Sequence, residues 1–138
     1  MILLFRGRGI SRGKGTGELL VSPAPISFLS GVDPDTGVIV ERGHPLEGES
    51  ITGKVLAFSH GKGSTVGSYV LYALARKGKA PAAIINRKAD PIIAVGAIMG
   101  KIPMVDEPGV DIMHLRNGTR VNVDGDSGEI EYEGDLLP

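Results

Sequence analysis

Cysteine and tryptophan are absent from this chain of 138 residues, and phenylalanine and tyrosine occur only three times each. Without cysteine the chain forms no disulfide, offers no thiolate nucleophile and cannot itself ligate an iron–sulfur cluster. The few aromatic side chains provide no evident platform for stacking bases or sugars. We therefore expect no metal or cofactor to be held by this chain alone.

A strong net charge and a long apolar run are also missing. The formal net charge of -1 gives no electrostatic attraction to nucleic acid or to an anionic membrane. No segment approaches the roughly 20 apolar residues of a membrane span, and the apolar part of the start "MILLFRGRG" is too short for a secretory signal. The expectation is a cytoplasmic protein that binds neither nucleic acid nor membrane.

Glycine and proline, by contrast, are abundant and spread along the whole chain, with 21 and nine residues respectively. This distribution predicts many short elements separated by turns rather than one linker. The length suits one domain over residues 1–138.

The centre of the chain has the pattern of a strand-helix-strand unit. The apolar run "KVLAFS" (54–59) predicts a buried strand, and apolar residues at helical spacing follow from Val66 to Leu74. Gly78 suits the end of this helix, Pro81 prevents its continuation, and "AAIIN" (82–86) predicts the next strand.

Strands are predicted at both ends of the chain. They are expected at residues 2–10, 17–22 and 38–40, with the basic segment "SRGKGTG" as a flexible loop between the first two. A helix is predicted to start at Asp90-Pro91, a strand to follow at 102–105, and "TRVNVDGDSGEIEYEG" has the alternation of a hairpin. Together these elements predict an α+β fold, layered or barrel-like, around the central unit.

The stretch "HGKGSTVGS" (60–68) is the strongest candidate site. Its glycines permit close approach of the backbone, and Ser64 and Thr65 lie where the free N–H groups of the helix start gather. One interpretation is that Ser64 or Thr65 only caps the helix. The other is that surrounding N–H dipoles stabilise the Ser64 alkoxide, which would make Ser64 an acid-base residue.

The remaining candidates are weaker. Arg12 or Lys14 of the basic segment is a possible phosphate contact, but the segment does not match a phosphate-binding loop. His44 and His114 have no carboxylates at metal-ligand spacing and are expected to be structural. The loop 30–37, "SGVDPDTG", is either a ligand loop or an ordinary turn.

Three successive segments resemble the small subunit of the aconitase X family. They are "SGVDPDTGVIVERGHPLEG", "GKVLAFSHGKGSTVGSYVLYALARKGKAPAAIIN" and "ADPIIAVGAIMGKIPMVD", and the similarity covers residues 9–106 in matching order. The tail "GTRVNVDGDSGEIEY" fits the same family's swivelling β/β/α domain. The resemblance implies one subunit of a heterodimeric hydro-lyase, whose large subunit carries a four-iron four-sulfur cluster.

The resemblance also implies roles for individual residues. The serine of the family's "GKGS" loop is the proton acceptor, which corresponds to Ser64, while Lys62, Gly63 and Thr65 of the same loop are inferred to contact substrate. The archaeal members that it most resembles dehydrate (R)-5-phosphomevalonate, a small phosphorylated hydroxy acid, to trans-anhydromevalonate 5-phosphate in the mevalonate route to isoprenoids.

Three alternatives stay open at this point. One is a dehydratase of another hydroxy acid such as hydroxyproline. The second is a phosphohistidine swivelling domain, in which His60 would carry a phosphoryl group after Ser59. The third is a noncatalytic module that binds a partner.

Overall fold

The computed structural model describes residues 1–138 and contains a mixed sheet of eight strands with two α-helices. The strands are β1 (Leu3–Arg6), β2 (Arg8–Ser11), β3 (Lys14–Val21), β4 (Val55–Phe58), β5 (Ala83–Asn86), β6 (Met104–Asp106), β7 (Arg120–Asp124) and β8 (Glu129–Tyr132). The helices are α1 (Gly67–Arg76) and α2 (Pro91–Gly100), and a single 3-10 turn forms at Ile112–His114.

The strand order shows that the sheet folds back on itself. The order is β1-β8-β7-β3-β4-β5-β6-β2, in which β3 to β6 run parallel and the other pairs are antiparallel. Strands β1 and β2 stand at opposite ends of this order although only Gly7 separates them in the chain. The two ends of the sheet are therefore adjacent in the chain, and the mixed sheet with two helices confirms the predicted α+β fold.

Two apolar cores lie on the two faces of the central strands, because successive side chains of a strand point to opposite sides. Leu56 and Ile84 belong to a core of 16 buried residues shared with α1 and α2. Val55 and Ile85 belong to a second core of 13 residues shared with β7 and β8. The layers are thus β/β/α, as the family resemblance implies.

The helix boundaries follow the predicted signals. Asp90 caps α2 by accepting the N–H of Ile92 at 2.8 Å, and Pro91 is the first helical residue. Gly78 adopts a φ of 70° just after α1, where Lys79 donates its N–H to Leu74 at 2.8 Å. Neither helix is long and apolar enough to cross a bilayer.

The predicted flexible basic loop is wrong. Strand β2 continues to Ser11 and β3 begins at Lys14, so only Arg12 and Gly13 form the turn between them. Glycine is required here for packing rather than for flexibility, since a Cβ on Gly15 would lie 2.0 Å from the carbonyl oxygen of Ala82. A single strand over residues 2–10 was also expected, and Gly7 divides it in two.

The connection from β3 to β4, residues 22–54, contains no regular strand. The strand predicted at 38–40 is reduced to isolated bridges, Val32 with Ile39 and Val38 with Ser50. The connection nevertheless buries six apolar side chains in the core beneath the helices: Ile26, Phe28, Val32, Ile39, Leu46 and Ile51. The connection is therefore anchored in the core that it shares with α1 and α2.

Candidate active site

The candidate loop lies at the carboxyl edge of the parallel strands. Strand β4 ends at Phe58, opposite Asn86 of β5, which in turn pairs with Asp106 of β6. The chain then runs through residues 59–66 into α1. In parallel sheets this edge is where ligands characteristically bind, because the loops that lead into the helices converge there.

Backbone contacts hold the loop against the connection that follows β3. Ile26 donates its N–H to the carbonyl of His60 at 3.4 Å and accepts the N–H of Lys62 at 3.1 Å. A Cβ on Gly61 would lie 2.6 Å from a side-chain carbon of Ile93, so a larger residue does not fit there. The loop is consequently packed against both the connection 22–54 and helix α2.

Gly63 provides the turn that places Ser64. Its φ is +91°, a conformation that side chains of L-residues rarely adopt, and a Cβ there would lie 2.8 Å from the Ser27 hydroxyl oxygen. After this turn Ser64, Thr65 and Val66 are all exposed.

The Ser64 side chain stabilises the turn before α1 but does not cap the helix. Its Oγ accepts the N–H of Val66 at 3.1 Å, and its carbonyl accepts the N–H of Gly67 at 2.9 Å. The N-cap residue is Val66, which has no side-chain acceptor. The expectation that Ser64 or Thr65 is the N-cap is therefore wrong by one or two positions.

Unpaired backbone donors lie at Ser64 and at the residues on either side of it in the chain. The N–H groups of Gly63, Ser64 and Thr65 donate to no acceptor within the chain, and no His, Asp or Glu side chain is hydrogen-bonded to Ser64. Three successive free N–H groups beside a helix start favour a negative charge. The arrangement can bind an anionic ligand or stabilise an alkoxide, and it lacks the paired base of a serine-histidine nucleophile.

The other residues assigned to substrate binding lie on the same loop. Lys62 is exposed and forms an ion pair with Glu41 at 2.9 Å. Thr65 is exposed and its side chain makes no hydrogen bond within the chain, while its carbonyl accepts the N–H of Ser68 at 3.1 Å. Ser68 itself is buried, and its hydroxyl donates to the carbonyl of Ile92 at 2.7 Å, so it joins the two helices.

The three histidines differ in their surroundings. His44 is buried, accepts the N–H of Leu46 at its Nδ1 and donates from Nε2 to the carbonyl of Pro25. It is therefore a structural residue that joins two parts of the connection 22–54. His114 is exposed in the 3-10 turn. His60 is exposed at the start of the candidate loop and its ring makes no hydrogen bond.

The loop 30–37 and Lys14 were two further candidates, and neither contributes to the site at Ser64. In the loop 30–37, Asp33 accepts the N–H of Asp35 at 2.8 Å, which is the hydrogen bond of an ordinary aspartate turn. Lys14 begins β3 and therefore lies at the opposite end of that strand from the carboxyl edge. The structure does not bring Lys14 together with Ser64.

An ion pair at the carboxyl edge had no sequence signal. Arg8 of β2 donates to both carboxylate oxygens of buried Asp106, at 2.9 and 2.7 Å, and Ala89 donates its N–H to the same carboxylate at 2.7 Å. Burial raises the pKa of Asp106, but the hydrogen bonds from Arg8 and Ala89 outweigh it and hold the pKa below its usual value. The pair fixes the segment that leads into α2, beside the candidate loop.

Comparison with known proteins gives a consistent family. Residues 4–132 match the model of the aconitase X swivel domain. The chain is 56% identical over 134 residues to the phosphomevalonate dehydratase small subunit of Pyrococcus furiosus, covering 96% of this chain and 98% of that protein. It is 57% identical to the protein of the same name from Methanosarcina mazei, covering 92% and 89%.

Two solved structures share the fold. The chain aligns to the crystal structure of Thermococcus kodakaraensis aconitase X (holo-form) with a TM-score of 0.90 and 52% identity, covering 96% of this chain and 99% of that chain. It aligns to the solution NMR structure of a UPF0107 protein with a TM-score of 0.85 and 46% identity, covering 96% and 100%.

Proposed function

The chain belongs to the aconitase X swivel domain family, and we propose that it is the small subunit of a phosphomevalonate dehydratase in which Ser64 is the proton acceptor. The relatives that carry this name are about as long as this chain and match it almost end to end. Their name favours (R)-5-phosphomevalonate over hydroxyproline as the substrate. The matched family likewise favours a hydro-lyase over a phosphohistidine carrier.

The observation that carries the role of Ser64 is the set of free N–H groups at residues 63–65, next to its exposed hydroxyl in the chain. A serine hydroxyl is a very weak acid, so it removes a proton from carbon only if its alkoxide is stabilised. The Val66 N–H already donates to the oxygen, and the N–H groups of Ser64 itself and of Thr65 have no acceptor within the chain. These dipoles favour the negative charge at Oγ without a neighbouring histidine.

In this proposal the chain's own residues bind the substrate and move one proton. Ser64 Oγ, as the alkoxide, takes the proton from the carbon next to the substrate carboxylate, and the C–H electron pair forms the double bond as the tertiary C–O bond breaks. The net products are water and trans-anhydromevalonate 5-phosphate. Lys62, the Gly63 N–H and the Thr65 hydroxyl orient the anionic groups of the substrate. To contact the substrate, the Lys62 ammonium would have to break its ion pair with Glu41 or bind both anions at once.

The residues of this chain do not fit an iron–sulfur cluster. It has no cysteine, and no group of three or more His, Asp or Glu side chains is placed to hold a metal ion. We accordingly place the four-iron four-sulfur cluster on a large subunit, the partner that the name of the relatives implies. The catalytic unit is then a heterodimer.

The test is reconstitution with the large subunit of a phosphomevalonate dehydratase from the same source. We expect the two chains together, and neither alone, to convert (R)-5-phosphomevalonate to the anhydro product, measured by NMR or mass spectrometry. Hydroxyproline serves as the comparison substrate and should not be converted. Turnover of phosphomevalonate by this chain without the large subunit contradicts the proposal. So does a pair of subunits that converts hydroxyproline but not phosphomevalonate.

A further inference from the structure

A shallow apolar groove begins at the candidate loop and runs between the two helices. It measures about 350 Å³ and is lined by Thr65, Ser68, Tyr69, Pro91, Ile92, Val95 and Met99. Tyr69 is 67% exposed and Val95 is 48% exposed, and Val66, next to Thr65, is 46% exposed. Large hydrophobic side chains clustered on one surface, rather than scattered singly, indicate a binding site for a partner.

The chemistry of the groove favours an apolar occupant. Helix α2 has no charged residue over its whole length from Pro91 to Gly100. The buried hydroxyl of Ser68 is already used by the carbonyl of Ile92. A charged group entering between Tyr69 and Val95 would lose its water without gaining a partner, which is costly.

The position of the groove decides what covers it. Ser64 is exposed on the surface of this chain, whereas closing an active site over the substrate expels water and strengthens the electrostatic interactions that stabilise an alkoxide. Any subunit that closes over Ser64 also approaches Thr65 and Val66, the next two residues in the chain. Thr65 lines the groove together with Tyr69. The groove is therefore contiguous with the surface that must be covered for the proposed reaction.

We propose that this groove is a docking site for the large subunit and receives an apolar segment of it, an inference that rests on the proposed function. Tyr69 is the central contact, because exposed aromatic side chains at the centre of an interface contribute most to affinity. Docking here sets the distance between the Ser64 loop and the partner. It also excludes water from the start of α1.

The experiment measures the affinity of the large subunit for variants of the full-length small subunit by titration calorimetry. Val95→Glu places a charge in the groove, and Tyr69→Ala removes the central ring. Met113→Glu is the matched control, since Met113 is also 48% exposed but lies in the 3-10 turn, which packs on the core between the β layers. Circular dichroism and the melting temperature of each free variant verify that it is folded.

We expect Val95→Glu to raise the Kd at least ~100-fold and Tyr69→Ala at least ~30-fold, with Met113→Glu within ~3-fold of the unchanged chain. If folded Val95→Glu and Tyr69→Ala bind normally, the docking site is wrong while the proposed function stands.

Two other results overturn the inference in different ways. If the unchanged chain does not bind the large subunit at all, the proposed function fails and the docking site loses its occupant. Sedimentation of the free chain tests a second copy as the occupant. Self-association that Val95→Glu abolishes, together with normal binding of the large subunit, assigns the groove to a homodimer instead.

Discussion

The Ser64 hydroxyl is distinguished by its neighbours and not by its own hydrogen bond. Ser127, in the turn between β7 and β8, accepts the N–H of the residue two positions further on at 3.1 Å, the same distance as in Ser64. Around Ser127, however, the N–H groups of Asp126, Ser127 and Gly128 all donate to Asp124. Only Ser64 has free donors beside it, so Ser127 is a matched reference for turn stability without the candidate chemistry.

At Gly63 the backbone and the space beside it both exclude a side chain. We expect Gly63→Ala to lower the free energy of unfolding by about 1–3 kcal/mol, because alanine is strained at φ +91° and its Cβ meets the Ser27 hydroxyl. The turn would shift, so kcat of the reconstituted enzyme should fall as well. Urea unfolding and initial rates measure the two effects.

Gly48→Ala is the control for this prediction. Gly48 has a nearly identical φ of +89°, and a Cβ there would meet nothing within 4 Å. It should show the backbone strain alone, about 1 kcal/mol, with unchanged kcat. Equal kcat values for the two variants would mean that the shape of the Ser64 loop does not affect the reaction.

His60 tests the alternative of a phosphoryl carrier. Its ring is exposed and bonded to nothing, so we expect His60→Ala to lower kcat less than ~10-fold, below the effect of removing a general base. Incubation of the unchanged chain with a phosphoenolpyruvate-dependent phosphotransferase should give no acid-labile label. A label that His60→Ala abolishes would favour the carrier.

The elements that could be predicted from the sequence are those with local signals. Asp90-Pro91 starts α2, Gly78 ends α1, and the alternation around Asp124-Gly125 forms the β7–β8 hairpin. Strand pairing was not predictable in the same way. Strand β1 pairs with β8 and strand β2 with β6, and each partner lies more than 90 residues further along the chain. Glycines 15 and 17 indicated a loop, whereas they are required because the carbonyl oxygens of Ala82 and Gly53, just before β5 and β4, leave no room for a side chain.

The same division applies to the candidate site. The glycine spacing predicts Ser64 on a loop before a helix, which the structure bears out. It does not reveal that the helix begins at Gly67, that Lys62 pairs with Glu41, or that Ile26 holds the loop. The last two depend on the irregular connection 22–54, whose path has no periodic signal.

At the scale of elements, Asp106 joins three parts of the carboxyl edge: β6, β2 through Arg8, and the start of α2 through Ala89. We expect Asp106→Asn to lower the free energy of unfolding by about 2 kcal/mol at pH 7, because the buried carboxylate accepts charge-assisted hydrogen bonds. Urea unfolding measures this difference.

The pH dependence of that difference has a definite sign. Because the folded-state pKa of Asp106 lies below its unfolded value, its contribution is complete above about pH 4 and is lost as the pH falls through the folded pKa. The gap between the unchanged chain and Asp106→Asn should therefore shrink from pH 7 to pH 3. A gap that is constant or widens on acidification contradicts the ion-pair account.

As a whole molecule, the chain is a mixed sheet of eight strands that, with the connection 22–54 and two helices, presents one loop at the surface. It supplies an exposed hydroxyl with free N–H groups next to it and an apolar groove beside it, while no cluster of three or more His, Asp or Glu side chains is placed to hold a metal ion. In this account activity is a property of the two-subunit complex. Stability, in contrast, is a property of this chain and can be measured on it alone.

That separation allows the central claim to be tested by comparing Ser64→Ala with Ser127→Ala in the reconstituted enzyme. Both substitutions remove the same type of turn hydrogen bond, so each should cost about 1 kcal/mol in the unfolding of the free chain. The account predicts that kcat falls at least ~10²-fold for Ser64→Ala and stays near the unchanged value for Ser127→Ala. If folded, assembled Ser64→Ala turns over phosphomevalonate as fast as Ser127→Ala does, Ser64 only stabilises the turn before α1 and is not the proton acceptor.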